Sequence, residues 1–277
     1  MKIVNGFDLM KYASDRKLML PAFNTTNLEM TFAIAKGLNN AGLPGYIQIS
    51  SNNLRLSDPE TIVYLTKKAL KDVDVPIGLH LDHGKSYEDV KACVNAGFTS
   101  IMIDASSLPF EENIKEVKRA VQYCHFYGVP VEAELGCLQG KEEDIVNEAD
   151  AKTDPDMVLD FVNETGCDLL AVAVGNVHGL DIEPKVDLPL LKKISEISPV
   201  PLVMHGGSGI PFETIQAARA YNLLKVNYGS DLRKAFISTF GKAYAKNDNE
   251  VNVIGLSLDA VENVATEAKK LVKIINE

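Results

Sequence analysis

Eight short, β-rich apolar runs punctuate the chain, each followed by a helix-length segment, and this alternation limits the fold more than any other feature. The runs are LMLPAFN (18–24), YIQIS (46–50), PIGLHLD (76–82), SIMID (100–104), PVEAEL (130–135), LLAVAV (169–174), PLVMHG (201–206) and LLKVNY (223–228). Their starts fall about 22 to 39 residues apart, the spacing of strand–helix units joined by right-handed crossovers. Segments such as NLEMTFAIAKGLNNAG and DPDMVLDFVNETG carry a 3.6-residue period between them. Asn27, Asp58, Ser86 and Asp154 stand as N-caps, while Gly42, Gly97, Gly128 and Gly166 close the helices. Near-continuous apolar strands imply a parallel sheet covered by helices, and eight such units close into an α/β TIM (β/α)8 barrel. An open doubly wound sheet needs a glycine fingerprint after its first strand, and Pro21-Ala22-Phe23-Asn24 is none. Residues 1–277 are read as one barrel domain, with an additional C-terminal helix at about 258–275 lying over the barrel or against a neighbouring subunit.

Composition removes several function classes. With 46% hydrophobic and 24% charged residues, the chain is neither disordered nor fibrous. Its net charge is −10 and it has no basic run, so nucleic acid is not an expected partner. No apolar stretch reaches membrane-spanning length, and the first residues offer no signal-peptide core, so a cytoplasmic location is expected. Cys93, Cys124, Cys137 and Cys167 show no CxxC pairing and are read as thiols.

In a barrel of this kind chemistry sits at the C-terminal ends of the strands. The third run ends His80-Leu81-Asp82-His83-Gly84, the fifth carries Glu132 and Glu134, the sixth leads to His178-Gly179 and the seventh ends His205-Gly206-Gly207-Ser208-Gly209. Three strands each delivering an imidazole to one rim suit a catalytic zinc site with a coordination position left open, assigned to His83, His178 and His205. Asp82 beside such a cation fits an acid/base role or an orienting one. For His80 a hydrogen-bonding place inside the barrel is as good a reading as a direct role. Glu132 and Glu134 share parity and enter the barrel together, where carboxylates need a metal or hydrogen bonds. The following stretch, 136–144, reads as an acid-rich loop. Gly206, Gly207 and Ser208 precede a helix, and Asn227-Tyr228-Gly229-Ser230 follows the eighth strand; together these form the usual phosphate cradle of the fold.

With those residues in place, the chain resembles the class II, metal-dependent ketose-bisphosphate aldolases. The markers are HLDHG (80–84), AGFTSIMID (96–104), LPFEEN (108–113), VEAELG (131–136), VHG (177–179) and HGGSGIP (205–211). The resemblance implies reversible cleavage of a phosphorylated ketose, of the fructose- or tagatose-bisphosphate type, into dihydroxyacetone phosphate and an aldehyde. It implies zinc on His83, His178 and His205 with Glu134 near the metal. Asp82 is matched to proton exchange with the C4 hydroxyl, and Glu142 to the loop base that deprotonates dihydroxyacetone phosphate. Gly179, Gly206, Ser208 and Asn227 through Ser230 are matched to the phosphate cradle, Ser50 to the aldehyde-side phosphate, and Asn24 joins the substrate-binding set. A monovalent cation, Na+ or K+, and a homo-oligomer, dimer or tetramer, belong to the same expectation.

Three departures from the family pattern stand out. Gln139 replaces a usual loop glycine, and Gly229 stands where a small non-glycine residue is usual. The stretch 247–251, Asn-Asp-Asn-Glu-Val, lacks the family's Asp-Pro-Arg, whose arginine comes from a neighbouring subunit and holds a second phosphate. Alternatives are a catalytically inactive barrel that binds zinc and phosphate in a regulatory role, a Schiff-base enzyme using Lys225, and a metal-dependent hydrolase; the last would need an HxH pair on the first strand.

Overall fold

The computed structural model describes residues 3–142, 145–147 and 151–277, with 141–142 and 145–147 described in backbone only. Eight parallel strands close into a barrel: β1 (Leu20–Asn24), β2 (Gly45–Ser50), β3 (Ile77–Gly84), β4 (Ser100–Ile103), β5 (Val131–Leu135), β8 (Leu169–Val172), β9 (Leu202–Met204) and β10 (Leu223–Tyr228), joined in the order β1-β10-β9-β8-β5-β4-β3-β2. The eight expected runs are these eight strands. β8 and β9 leave the ladder earlier than the apolar runs suggest, because Gly175 and Gly206 adopt left-handed backbone there and turn the chain into the mouth.

A helix not foreseen from the sequence, α1 (Gly6–Asp15), lies across the N-terminal end of the barrel. The Asn5 side chain caps it by accepting from the Phe7 amide, and Val4 and Gly6 donate backbone bonds to Ile77 and Thr99 at the strand starts. Its Leu9 and Ala13 pack with Leu20, Tyr46, Leu169 and Val203, an apolar cluster inside the barrel. A larger cluster of buried apolar side chains fills the layer between strands and surrounding helices.

The C-terminal helix, numbered α10 (Val253–Ile274), begins earlier than expected because Asn252 caps it at Gly255. It lies on α2 (Leu28–Ala41), where Gly37 lets the backbones meet; a Cβ there would stand 2.7 Å from the Ala265 carbonyl oxygen. Asn276 then exchanges hydrogen bonds with Met19, tying the end of the chain to the start of β1. The segment read as a loop, 136–144, contains a strand, β6 (Gly140–Glu142), which pairs antiparallel with β7 (Ile145–Asn147) just beyond it. Among the described residues no disulfide forms, and no helix is long and apolar enough to cross a membrane.

Candidate active site

The strand parity that points His80 and Asp82 into the barrel would send His83 outward. The backbone prevents this. Pairing of β3 with β4 shifts register between Leu81 and Gly84, and His83 takes φ +47°. That left-handed conformation costs a non-glycine residue about 1–3 kcal/mol and persists only when its surroundings hold it. Asp104, just past β4 at the end of SIMID, supplies part of the hold through Oδ2, 2.8 Å from His83 Nδ1. Burial pushes the Asp104 carboxyl up, but its bonds to His83 and Ser106 outweigh that and keep it below the usual carboxylate range.

So turned, the His83 ring meets the other two expected imidazoles. Its centroid lies 4.8 Å from that of His205 and 5.3 Å from that of His178. One nitrogen from each ring falls within 4.8 Å of the others, and a second group, His83, Asp104 and Glu134, meets the same limit. Glu134 Oε2 is 3.5 Å from His205 Nδ1, an atom without a hydrogen bond among the described residues. A buried imidazole nitrogen facing a carboxylate across that gap is the donor set a divalent cation would complete, so the residues fit a metal.

The orientation of His205 is set from beneath. Its Nε2 lies 2.7 Å from Glu132 Oε1, and Lys225 Nζ donates to Glu132 Oε2 at 2.8 Å. Burial raises the Glu132 carboxyl, but Lys225 and His205 overcome it and hold the group ionised. An ionised carboxylate only accepts, so the His205 proton sits on Nε2 and the Nδ1 lone pair faces the mouth. Burial also lowers the His205 imidazole to about 4, keeping it neutral near pH 7. Lys225, the alternative nucleophile, is fully buried in this arrangement, with His80 Nε2 3.4 Å away. His80, fully buried, in turn bonds Ser100 through Nδ1 at 2.8 Å, the contact expected of an interior hydrogen-bonding residue.

Asp82 is fully buried and held by three amides from different strands. Asn24 and Gln48 donate to Oδ2 at 2.8 and 3.2 Å, and Asn227 donates to Oδ1 at 3.1 Å. Beside it opens a narrow cleft. Asn24, Asn227, Gly179, Gly206, Ser208, Gly229 and Ser230 line it, with His178 connecting it to the imidazole cluster. Gly206 has φ +63°, and a Cβ there would collide with the Val177 carbonyl oxygen, so only glycine builds this wall. The Asp231 amide donates to Ser208 Oγ and the Gly207 amide to the Asn227 carbonyl, joining the two loops. Gly207 and Tyr228, also expected at the site, are not among the residues that line the cleft; Tyr228 is buried against Phe23. Ser50 pairs in register with Asp82 at the barrel mouth, outside the cleft lining.

The side chain of Glu142 lies outside the described residues; its backbone ends β6, which starts where Gly140 lies against His178 and the His178 amide donates to Gln139. Arg55 is exposed on the short 3-10 helix Ser51–Arg55 after β2. The sequence reading missed Asp104, Gln48 and Arg233. For the first two the signal was present, since each is a polar residue late in a barrel strand or just past it.

A barrel mouth gathering three imidazoles, buried carboxylates and a glycine-walled cleft has the makings of a metal-dependent enzyme. Comparison with known proteins narrows this. The family described as Fructose-bisphosphate aldolase class-II matches residues 4–277. The chain is 38% identical over 269 residues to a fructose-bisphosphate aldolase of Geobacillus stearothermophilus, covering 95% of this chain and 94% of that one. It is 37% identical over 255 residues to the fructose-bisphosphate aldolase of Staphylococcus aureus strain Mu50, covering 91% and 89%. Among solved structures, the YdjI aldolase from Escherichia coli K12 superposes with a TM-score of 0.85 at 30% identity, covering 99% of this chain and 97% of that one. The chain belongs to the class II fructose-bisphosphate aldolase family, a family of generally metal-dependent lyases.

Proposed function

We propose that this chain reversibly cleaves a phosphorylated ketose, of the fructose- or tagatose-bisphosphate type, into dihydroxyacetone phosphate and an aldehyde, using zinc on His83, His178 and His205. The observation that carries this reading is the convergence of those imidazoles beside Asp82, with a glycine-walled cleft on the same rim. Cleavage leaves an electron pair on a carbon next to a carbonyl, and a divalent ion supplies Lewis-acid stabilisation of that charge.

The remaining work falls to side chains. Asp82 is the proton-exchange group for the C4 hydroxyl, its oxygens aimed by Asn24, Gln48 and Asn227. Glu142 is the base for dihydroxyacetone phosphate, carried on the β6 segment that runs beside His178. Glu134 supports the metal ligands from 3.5 Å, and Glu132 with Lys225 fixes the His205 tautomer. The amides of Gly179 and Gly206, the Ser208 and Ser230 hydroxyls and the start of the helix Ser230–Lys246 suit a phosphate group. Ser50 serves the aldehyde side. A homo-oligomer, a monovalent cation near the phosphate and a cytoplasmic location complete the proposal. The non-catalytic alternative is not favoured, since the curated relatives are named as aldolases.

The test is a cleavage assay over fructose and tagatose bisphosphates and the corresponding monophosphates. Wild type should cleave at least one, and Asp82→Ala and Glu142→Ala should each lower turnover by roughly 10² or more. Full rate in both variants would remove the assigned roles.

A further inference from the structure

The cleft beside Asp82 is walled mostly by neutral groups, and among the described residues that line it one side chain is permanently charged: Arg233. Its position follows from local structure. Ser230 starts α9 (Ser230–Lys246), and the Arg233 amide bonds back to the Gly229 carbonyl at 3.0 Å, so residue 233 rises one turn above residue 229. The guanidinium leans over Gly229. A Cβ built on Gly229 would collide with Arg233 Nη2, and the Asn24 Oδ1 that bounds the same space would be 3.0 Å away. The φ of −126° at Gly229 lies outside the left-handed region that favours glycine. Glycine is therefore needed there for space and not for backbone conformation.

Arg233 Nε is buried and has no hydrogen bond among the described residues. A guanidinium stays charged, and a buried N–H on it without an acceptor is costly. An anion in the cleft would supply that acceptor, and the amides at the start of α9 present partial positive charge in the same place.

We propose that Arg233 is a substrate-binding residue that contributes a fixed positive charge to the phosphate end of the cleft, and that Gly229 is what admits it. This rests on the aldolase reading for the identity of the substrate. It concerns the ligand's phosphomonoester, a tetrahedral dianion whose oxygens accept from the planar guanidinium fork. Asn24, Ser208, Asn227 and Ser230 supply shape and neutral hydrogen bonds; Arg233 supplies charge selection, so a phosphorylated ketose is favoured over its unphosphorylated counterpart.

The experiment pairs steady-state kinetics on the cleaved ketose with calorimetric binding of inorganic phosphate, on wild type, R233Q, R233K, G229A and the double variant G229A/R233Q. R233Q should weaken inorganic phosphate and raise KM by roughly 10- to 100-fold, the loss of one or two charge-assisted hydrogen bonds, with bound metal content unchanged. R233K should recover part of the affinity, as a point charge without the fork. G229A should weaken phosphate in the same direction by displacing the guanidinium, and should have no further effect once Arg233 is gone. Phosphate affinity and KM within twofold of wild type in R233Q, or a G229A effect that persists undiminished in the R233Q background, would overturn the proposal. A wild type that binds phosphate through Arg233 yet cleaves no phosphorylated ketose would retire the aldolase reading and leave this one standing.

Discussion

At the N-terminal end of the barrel, Leu9 and Ala13 of α1 fill the interior together with Leu20, Tyr46, Leu169 and Val203. Two residues further along the same strands the interior is just as buried but polar: Tyr46 gives way to Gln48, Val203 to His205, and Gly78 to His80 and then Asp82. The apolar end needs only shape. The polar end needs partners: amides surround Asp82, and a hydrogen-bonded chain runs from Ser100 through His80, Lys225 and Glu132 to His205, whose Nδ1 is left facing the mouth. One set of strands thus carries a stability-bearing end and a chemistry-bearing end, and substitutions at the two should separate stability from turnover.

The largest expected effect is at the mouth. His205→Ala should abolish measurable cleavage and the tightly bound divalent ion, read by elemental analysis of the purified protein. Asp82→Asn should lower kcat by roughly 10²–10⁴ while thermal unfolding moves only a few degrees. At the opposite end Leu9→Ala should cost about 2–5 kcal/mol in denaturant unfolding and leave the kcat of the folded protein within twofold. If Leu9→Ala reduced kcat as Asp82→Asn does, the division between the two ends would fail.

A smaller effect belongs to the layer between barrel and helices, where burial pushes the Cys93, Cys124 and Cys167 thiols from 9.0 up to about 12. Above pH 9 the unfolded chain releases these protons while the native one keeps them, so stability falls as pH rises from 9 toward 12. Cys167→Ala should flatten that slope by up to one proton, measured by urea unfolding across the range. The smallest effect is at the α1 cap, where Asn5→Ala should cost about 1 kcal/mol.

The barrel was legible because its strands alternate with capped helices at a regular spacing, and the imidazoles because each ends or closely follows an apolar run. What was not legible depends on tertiary geometry. α1 is a single amphipathic stretch whose purpose appears only once the barrel end it covers exists. Asp104 closes SIMID in plain sight, yet its contact with His83 requires the left-handed turn at +47°. The β6–β7 pair has no alternating pattern to announce it, only the antiparallel match of Gly140 with Asn147. Arg233 lies a full turn into a helix, and its reach into the cleft depends on what residue 229 lacks.

The central claim is that His83, His178 and His205 hold one divalent ion on which ketose cleavage depends. The direct measurement is cleavage rate against metal content as a chelator strips the protein and metal is added back. The account predicts that activity falls with the ion and returns at one equivalent per chain. Undiminished cleavage by protein verified free of metal would contradict it.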